Sequence, residues 1–145
     1  QNPTSDDDGL FGEEVSESES TVKGRPVVER IDFSNTPPMD LSDALYHFDG
    51  DRVFMLEMFT QFLHGLPDRV TELRTALGAN NANHLSRTAH NIKGTCRNFG
   101  TEPVAVLAAR LEELGKQESI QDAGILVEQM QEETTRLQEF TKELS

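Results

Sequence analysis

One short stretch of the chain carries residue types that could do chemistry together. Counting in helical steps from His90 gives Asn83, Ser86, Arg87, Lys93, Gly94 and Arg97. Offsets of three, four and seven put all of them on one side of a helix. A neutral imidazole is a nitrogen nucleophile near neutral pH. Lys93 can hold an anion beside that ring as a point charge. Gly94 is out of place inside a helix, where Gly costs about 1 kcal/mol relative to Ala. It lies on the outward face, one turn after His90, so its missing side chain gives a bulky reactant clearance to the ring.

The local charge supports the same idea. No Asp or Glu occurs between Glu72 and Glu102, where this chain's own acid content predicts roughly five. Arg74, Arg87, Lys93 and Arg97 are therefore left unpaired by near sequence neighbours and form a cationic stripe. Cations around His90 would disfavour a protonated ring and would steady an anionic group attached to it. Such chemistry requires that the ring stand exposed. It also requires that Lys93 stay beside the ring and not turn away against an acid.

Other chemistries find less support. His84 and His90 are six residues apart and point to different faces, and no His-Glu-x-x-His pattern is present. His47 and His64 read as surface or packing residues. Cys96 is in phase with Leu85, Ile92 and Phe99, so it reads as a small buried thiol and not as a nucleophile. No Gly-rich nucleotide-binding loop occurs, so no kinase activity of the chain's own is expected.

The elements that must position His90 are all helical. Asp40 can cap a short helix through Phe48, and Asp49-Gly50-Asp51 makes a turn. The stripe Leu56, Phe59, Leu63, Leu66, Val70, Leu73, Leu77 predicts a long helix that is kinked at Pro67 and ends near Gly78. Leu85, Ala89, Ile92, Cys96 and Phe99 form the apolar face of a helix over 82–99, closed by Gly100. Thr101 caps a further helix, with Pro103 tolerated in its first turn, burying Val104, Leu107, Leu111 and Leu114. Ser119 and Asp122 have the spacing of a capping box. They would open a last helix that buries Val127, Met130, Leu137 and Leu144. The expected fold is all-α: an antiparallel four-helix bundle over residues 39–145, with a short extra N-terminal helix.

Residues 1–30 read as an acidic, Ser-rich disordered linker, because Asp6-Asp7-Asp8 and the run from Glu13 to Ser20 offer little apolar surface to bury. The 145 residues hold 13 Lys+Arg against 26 Asp+Glu, a net charge of −13. That balance argues against nucleic-acid binding and against direct contact with an anionic membrane. No apolar run is long enough to cross a bilayer, and no signal peptide opens the chain. The single Cys excludes an intramolecular disulfide and fits a reducing, cytoplasmic setting. The chain lacks an initiator Met, which reads as a processed chain or an excised piece of a larger one.

His90-Asn91-Ile92-Lys93-Gly94, followed by Gly100 and by Leu111-Glu112, resembles the His-x-x-Lys-Gly signature of histidine phosphotransfer (HPt) domains. The resemblance runs from about residue 39 to 144. It implies a phosphorelay module, expected as the C-terminal part of a hybrid sensor histidine kinase and tethered to a membrane through that parent. By position, His90 would accept a phosphoryl group from a response-regulator receiver aspartate and pass it to another receiver. Lys93 would steady the group and Gly94 would give clearance. No cofactor of its own is implied, since Mg²⁺ is expected on the receiver. Thr95 to Phe99 departs from the small residues usual there, which bears on partner choice. Receiver contacts are expected at Ser86, Arg87 and Arg97. They are also expected at part of Met55, Met58 and Phe62, because the helix over 51–66 carries more apolar groups than one face can bury. A monomer suffices for one nucleophile per bundle. The competing class is a helical scaffold without phosphate chemistry.

Overall fold

The computed structural model describes residues 21–22, 25–26 and 28–144; the acidic stretch over 1–20 lies outside the described residues. Five helices follow one another: α1 (Leu41–His47), α2 (Arg52–Gly78), α3 (Ala82–Cys96), α4 (Glu102–Lys116) and α5 (Gly124–Leu144). A minimal antiparallel pair, β1 (Thr21–Val22) with β2 (Arg25–Pro26), precedes them, with Thr21 opposite Pro26. The sequence shows no alternation for it, and two residues per strand leave the all-α class unchanged.

Each helix start has a local cause. The Asp40 carboxylate accepts from the Asp43 N–H (3.1 Å), Asp51 from that of Phe54 (3.0 Å) and Asn81 from that of His84 (3.0 Å). These caps satisfy backbone donors that the first turn leaves orphaned. Thr101 occupies the cap position of α4 without a capping side-chain bond; its hydroxyl donates instead to the Cys96 carbonyl (3.5 Å). Ser119 donates to the Gln117 carbonyl (3.4 Å), and α5 begins only at Gly124, so the expected capping box does not open it.

The long helix α2 runs through Pro67 as one element of 27 residues. Its buried line is Met55, Phe59, Leu66, Val70, Leu73 and Ala76. Leu56, Leu63 and Leu77 lie at its edge, only partly buried. The core face is thus turned slightly from the stripe read in the sequence. The helix α3 ends at Cys96 and not at Phe99, because Asn98 and Phe99 donate to carbonyls three residues back (3.2 and 3.0 Å), tightening the last turn. Its expected apolar face, Leu85, Ala89, Ile92, Cys96 and Phe99, is buried throughout.

The four long helices pack in a ring, α2 on α3, α3 on α4, α4 on α5 and α5 back on α2, with the α3–α4 contact the most extensive. Gly115 makes that contact close. A Cβ there would stand 2.8 Å from the Ala82 carbonyl oxygen and 2.8 Å from the Ser86 Cβ. Close approach of α4 to α3 brings the outer face of α3 within reach of side chains from α4.

Residues 28–39 lie along the bundle, ahead of the residue 39 start read from the sequence. Arg30 grips Glu132 with two nitrogens (3.0 and 2.8 Å). Gln129 is buried; its Oε1 accepts from the Ile31 N–H (3.0 Å) and its amide donates back to the Ile31 carbonyl. Arg136 donates to the Thr36 carbonyl (2.7 Å), and Phe33 and Met39 join the core. No apolar periodicity marks this strap, because side chains of α5 hold its backbone.

Candidate phosphotransfer site

The helix α3 places His90 on its outer face, one residue past the buried Ala89. The ring is 65% exposed. Its Nδ1 lies 2.9 Å from Oε2 of Glu112, a side chain of α4 that is only 6% exposed. The other carboxylate oxygen, Oε1, sits 2.6 Å from the Lys93 ammonium. That oxygen receives no well-angled hydrogen bond, so Lys93 meets it as a close point charge. Lys116, one turn further along α4, lies 3.3 Å from Oε2. One carboxylate therefore gathers an imidazole and two ammonium groups.

The electrostatics of this cluster act on the Glu112 carboxyl. Lys93 above all, with His90 and Lys116, holds the Glu112 carboxyl down at about 2, against the opposing effect of burial. Glu112 is thus ionised near neutral pH, and an ionised carboxylate only accepts. Nδ1 must then carry the proton. In that tautomer Nε2 is the ring nitrogen with the lone pair, on a side chain that is mostly exposed, the arrangement a nitrogen nucleophile needs.

The structure corrects the charge pattern in three places. Lys93 does have an acidic partner, supplied from α4 and 19 positions away in sequence. The lysine has turned onto an acid, but the same acid is bonded to the His90 ring, so it remains at the site. His90 is not ringed by cations alone, since Glu112 touches it directly. Arg74 belongs elsewhere: it pairs with Glu128 through two contacts (3.1 and 3.2 Å). Arg87 is exposed on the outer face of α3, Arg97 is exposed at the cap just after it, and Ser86 is half-buried beside Gly115. Gly94 is exposed, and a Cβ there would meet nothing within 4 Å. No packing contact requires the glycine, which leaves clearance as its physical rationale.

Met55 is corrected outright. It is fully buried in the core and cannot contact a partner. Met58 and Phe62 are partly buried, and Phe62 stacks on Phe99 with ring centroids 5.2 Å apart. Phe62 also lines a groove between α2 and α3, with Gly65, Leu66, Asn91, Ile92 and Thr95. That groove adjoins His90 through Asn91. The apolar groups of α2 that do face solvent are Val53 (72%) and Phe54 (47%). Cys96 is buried, and burial pushes its thiol up to about 12, which removes it as a nucleophile. Among the described residues no cluster of His, Cys, Asp or Glu could hold a metal ion, and no helix is long and apolar enough to cross a membrane.

Glu112 is the functional candidate that sequence reasoning left without a role. Leu111-Glu112 drew notice only as part of the family pattern. Charge counting along α3 could not find it, because the acid arrives from another helix.

The four long helices thus form a bundle that presents one exposed imidazole oriented by a buried carboxylate. The Hpt domain model matches residues 57–140, more than half of the chain, and the chain belongs to the Hpt domain family. Two solved structures are similar. Histidine-containing phosphotransfer protein B (HptB) from Pseudomonas aeruginosa PAO1 shares 27% identity over 74% of this chain and 94% of its own, with a TM-score of 0.68. The HPT domain of the Hpt sensor hybrid histidine kinase from Shewanella shares 22% identity over 74% of this chain and 92% of its own, with a TM-score of 0.65, a likeness of fold. No curated protein matches the chain. Membership places the chain among the histidine phosphotransfer modules of phosphorelays.

Proposed function

We propose that Nε2 of His90 accepts a phosphoryl group from a receiver-domain aspartyl phosphate and returns it to the aspartate of another receiver. The observation that carries this reading is the exposed His90 ring with Nδ1 held by a buried, ionised Glu112.

The step balances without a base. The Nε2 lone pair attacks phosphorus, the N–P bond forms, and the P–O bond to the aspartate breaks, releasing a carboxylate. Nδ1 keeps its proton, so the ring becomes an N-phosphorylated imidazolium, whose positive charge Glu112 offsets at hydrogen-bond distance. The transition state is loose, with charge spread over three equatorial oxygens, so positioning and neutralisation supply most of the catalysis. Lys93 stands ready to turn from Glu112 Oε1 to the phosphoryl oxygens. The receiver brings its own Mg²⁺ and its aspartate. This division of labour explains how a small bundle without a nucleotide loop takes part in phosphoryl transfer.

The partner docks over the outer face of α3 and the adjoining α2–α3 groove, touching Arg87 and Arg97, with Phe62 at the rim and Gly94 leaving room for its aspartate. Incubating the protein with a phosphorylated receiver and Mg²⁺ tests the reading. The expected product is a label on this chain that is lost in acid and survives base, as a phosphoramidate should. A label stable in acid, or none with any receiver tried, contradicts it.

A further inference from the structure

We propose that Lys116 is a second cation for the phosphoryl group, delivered from α4 opposite Lys93 of α3; this rests on His90 being the acceptor. A Glu–Lys pair four residues apart on an exposed helix face is commonplace and weak. The pair here differs in three respects. Its acid is buried, with a side chain only 6% exposed, while the Lys116 side chain is 62% exposed. Lys116 approaches Oε2 (3.3 Å), the same oxygen that holds His90 Nδ1 (2.9 Å), so one carboxylate oxygen links the ammonium to the ring. Gly115, next to it, lets α4 lie against Ala82 and Ser86, so the backbone that carries Lys116 packs close to α3 one turn before His90. Lys93 lies three residues on from His90, towards the other end of α3.

The charge count then changes with phosphorylation. The unmodified site holds the imidazole, one ionised carboxylate and two ammonium groups. A phosphoryl group on Nε2 adds roughly two negative charges, partly offset by the imidazolium. Glu112 is then saturated by the cationic ring, and both lysines are better placed on the phosphoryl oxygens. Lys116 moves freely, being mostly exposed, whereas Lys93 is 21% exposed. Two lysines from two helices would clasp the group from either side.

Loading the full chain with phosphoramidate, a small donor that needs no receiver, and following ³¹P NMR against pH tests this. In Lys116→Ala the phosphoryl titration midpoint should rise. At equilibrium with a phosphorylated receiver, the share of phosphoryl held by this chain should fall about two- to fivefold. Lys116→Arg should restore both. Lys142→Ala, at an exposed lysine paired with Glu139 (3.5 Å) far from this cluster, should change neither. An unmoved midpoint and partition in Lys116→Ala, or an equal change in Lys142→Ala, overturns the inference while leaving His90 in place. Loading that persists in His90→Gln overturns the acceptor assignment itself, and this inference with it.

Discussion

Replacing His90 with Gln is expected to leave the bundle folded and to abolish the acid-labile label completely. The ring is mostly exposed and makes its named bond only to Glu112 (2.9 Å), so little packing is lost. Gln is a fair helix former. Its amide can donate to Glu112, so the buried carboxylate keeps a partner, which is what guards against a large stability loss. The amide nitrogen, however, has no available lone pair to attack phosphorus. Thermal unfolding should therefore shift by less than about 1 kcal/mol, while phosphoryl transfer drops below detection. A His90→Gln protein that still takes acid-labile label would remove His90 from the mechanism and favour another acceptor. A wild-type chain that binds receivers but never takes label would favour the scaffold class.

The second large effect falls on folding. Gly100 has φ +63°, in the left-handed region, and a Cβ there would stand 2.7 Å from the Asp40 carbonyl oxygen. The Asp40 N–H donates to the Gly100 carbonyl (2.8 Å), so the cap residue of α1 and the turn after α3 are joined at this point. A branched side chain meets both problems, the backbone strain and the backbone clash. Gly100→Val is expected to cost about 3 kcal/mol or more. Gly94 provides the contrast, since it is helical and a Cβ would meet only open space. Gly94→Ala should stabilise by up to about 1 kcal/mol, and a larger side chain there should obstruct receivers. Urea unfolding of the two variants measures both. Equal unfolding midpoints for Gly100→Val and the unmodified protein would show that the turn is not held as described.

The helices that present His90 are legible in the sequence because local rules decide them. Asp40, Asp51 and Asn81 are cap residues whose partners lie three positions away, and a three–four apolar spacing fixes the inward face of α3. That face also buries Cys96, as its phase requires. The α2 helix was harder, because apolar residues surround it. Spacing alone could not choose between the line through Leu56 and Leu63 and the line through Met55 and Ala76. The neighbours α3 and α5 make that choice by packing. The same surplus of apolar groups made Met55 look available to a partner when it is core.

What the sequence could not show depends on long-range pairing. Glu112 reaches His90 across 22 positions, and only the close α3–α4 contact at Gly115 brings it there. The strap over 28–39 is held by Gln129, Arg136 and Glu132, about a hundred positions away, with no periodic signal of its own. In both cases polar side chains from a distant helix complete a structure that local patterning leaves open. Glu112 is plain in the sequence, but only its contacts with His90 and Lys93 turn the cationic stripe into a balanced cluster, with one carboxylate orienting a nucleophile.

The most direct measurement is heteronuclear NMR of the phosphorylated chain with ¹⁵N-labelled histidine. Phosphorus should couple to Nε2 of His90, and the Nδ1 proton should remain in place, held by Glu112. Coupling to Nδ1, or to the ring of His47, His64 or His84, would contradict the site as built here.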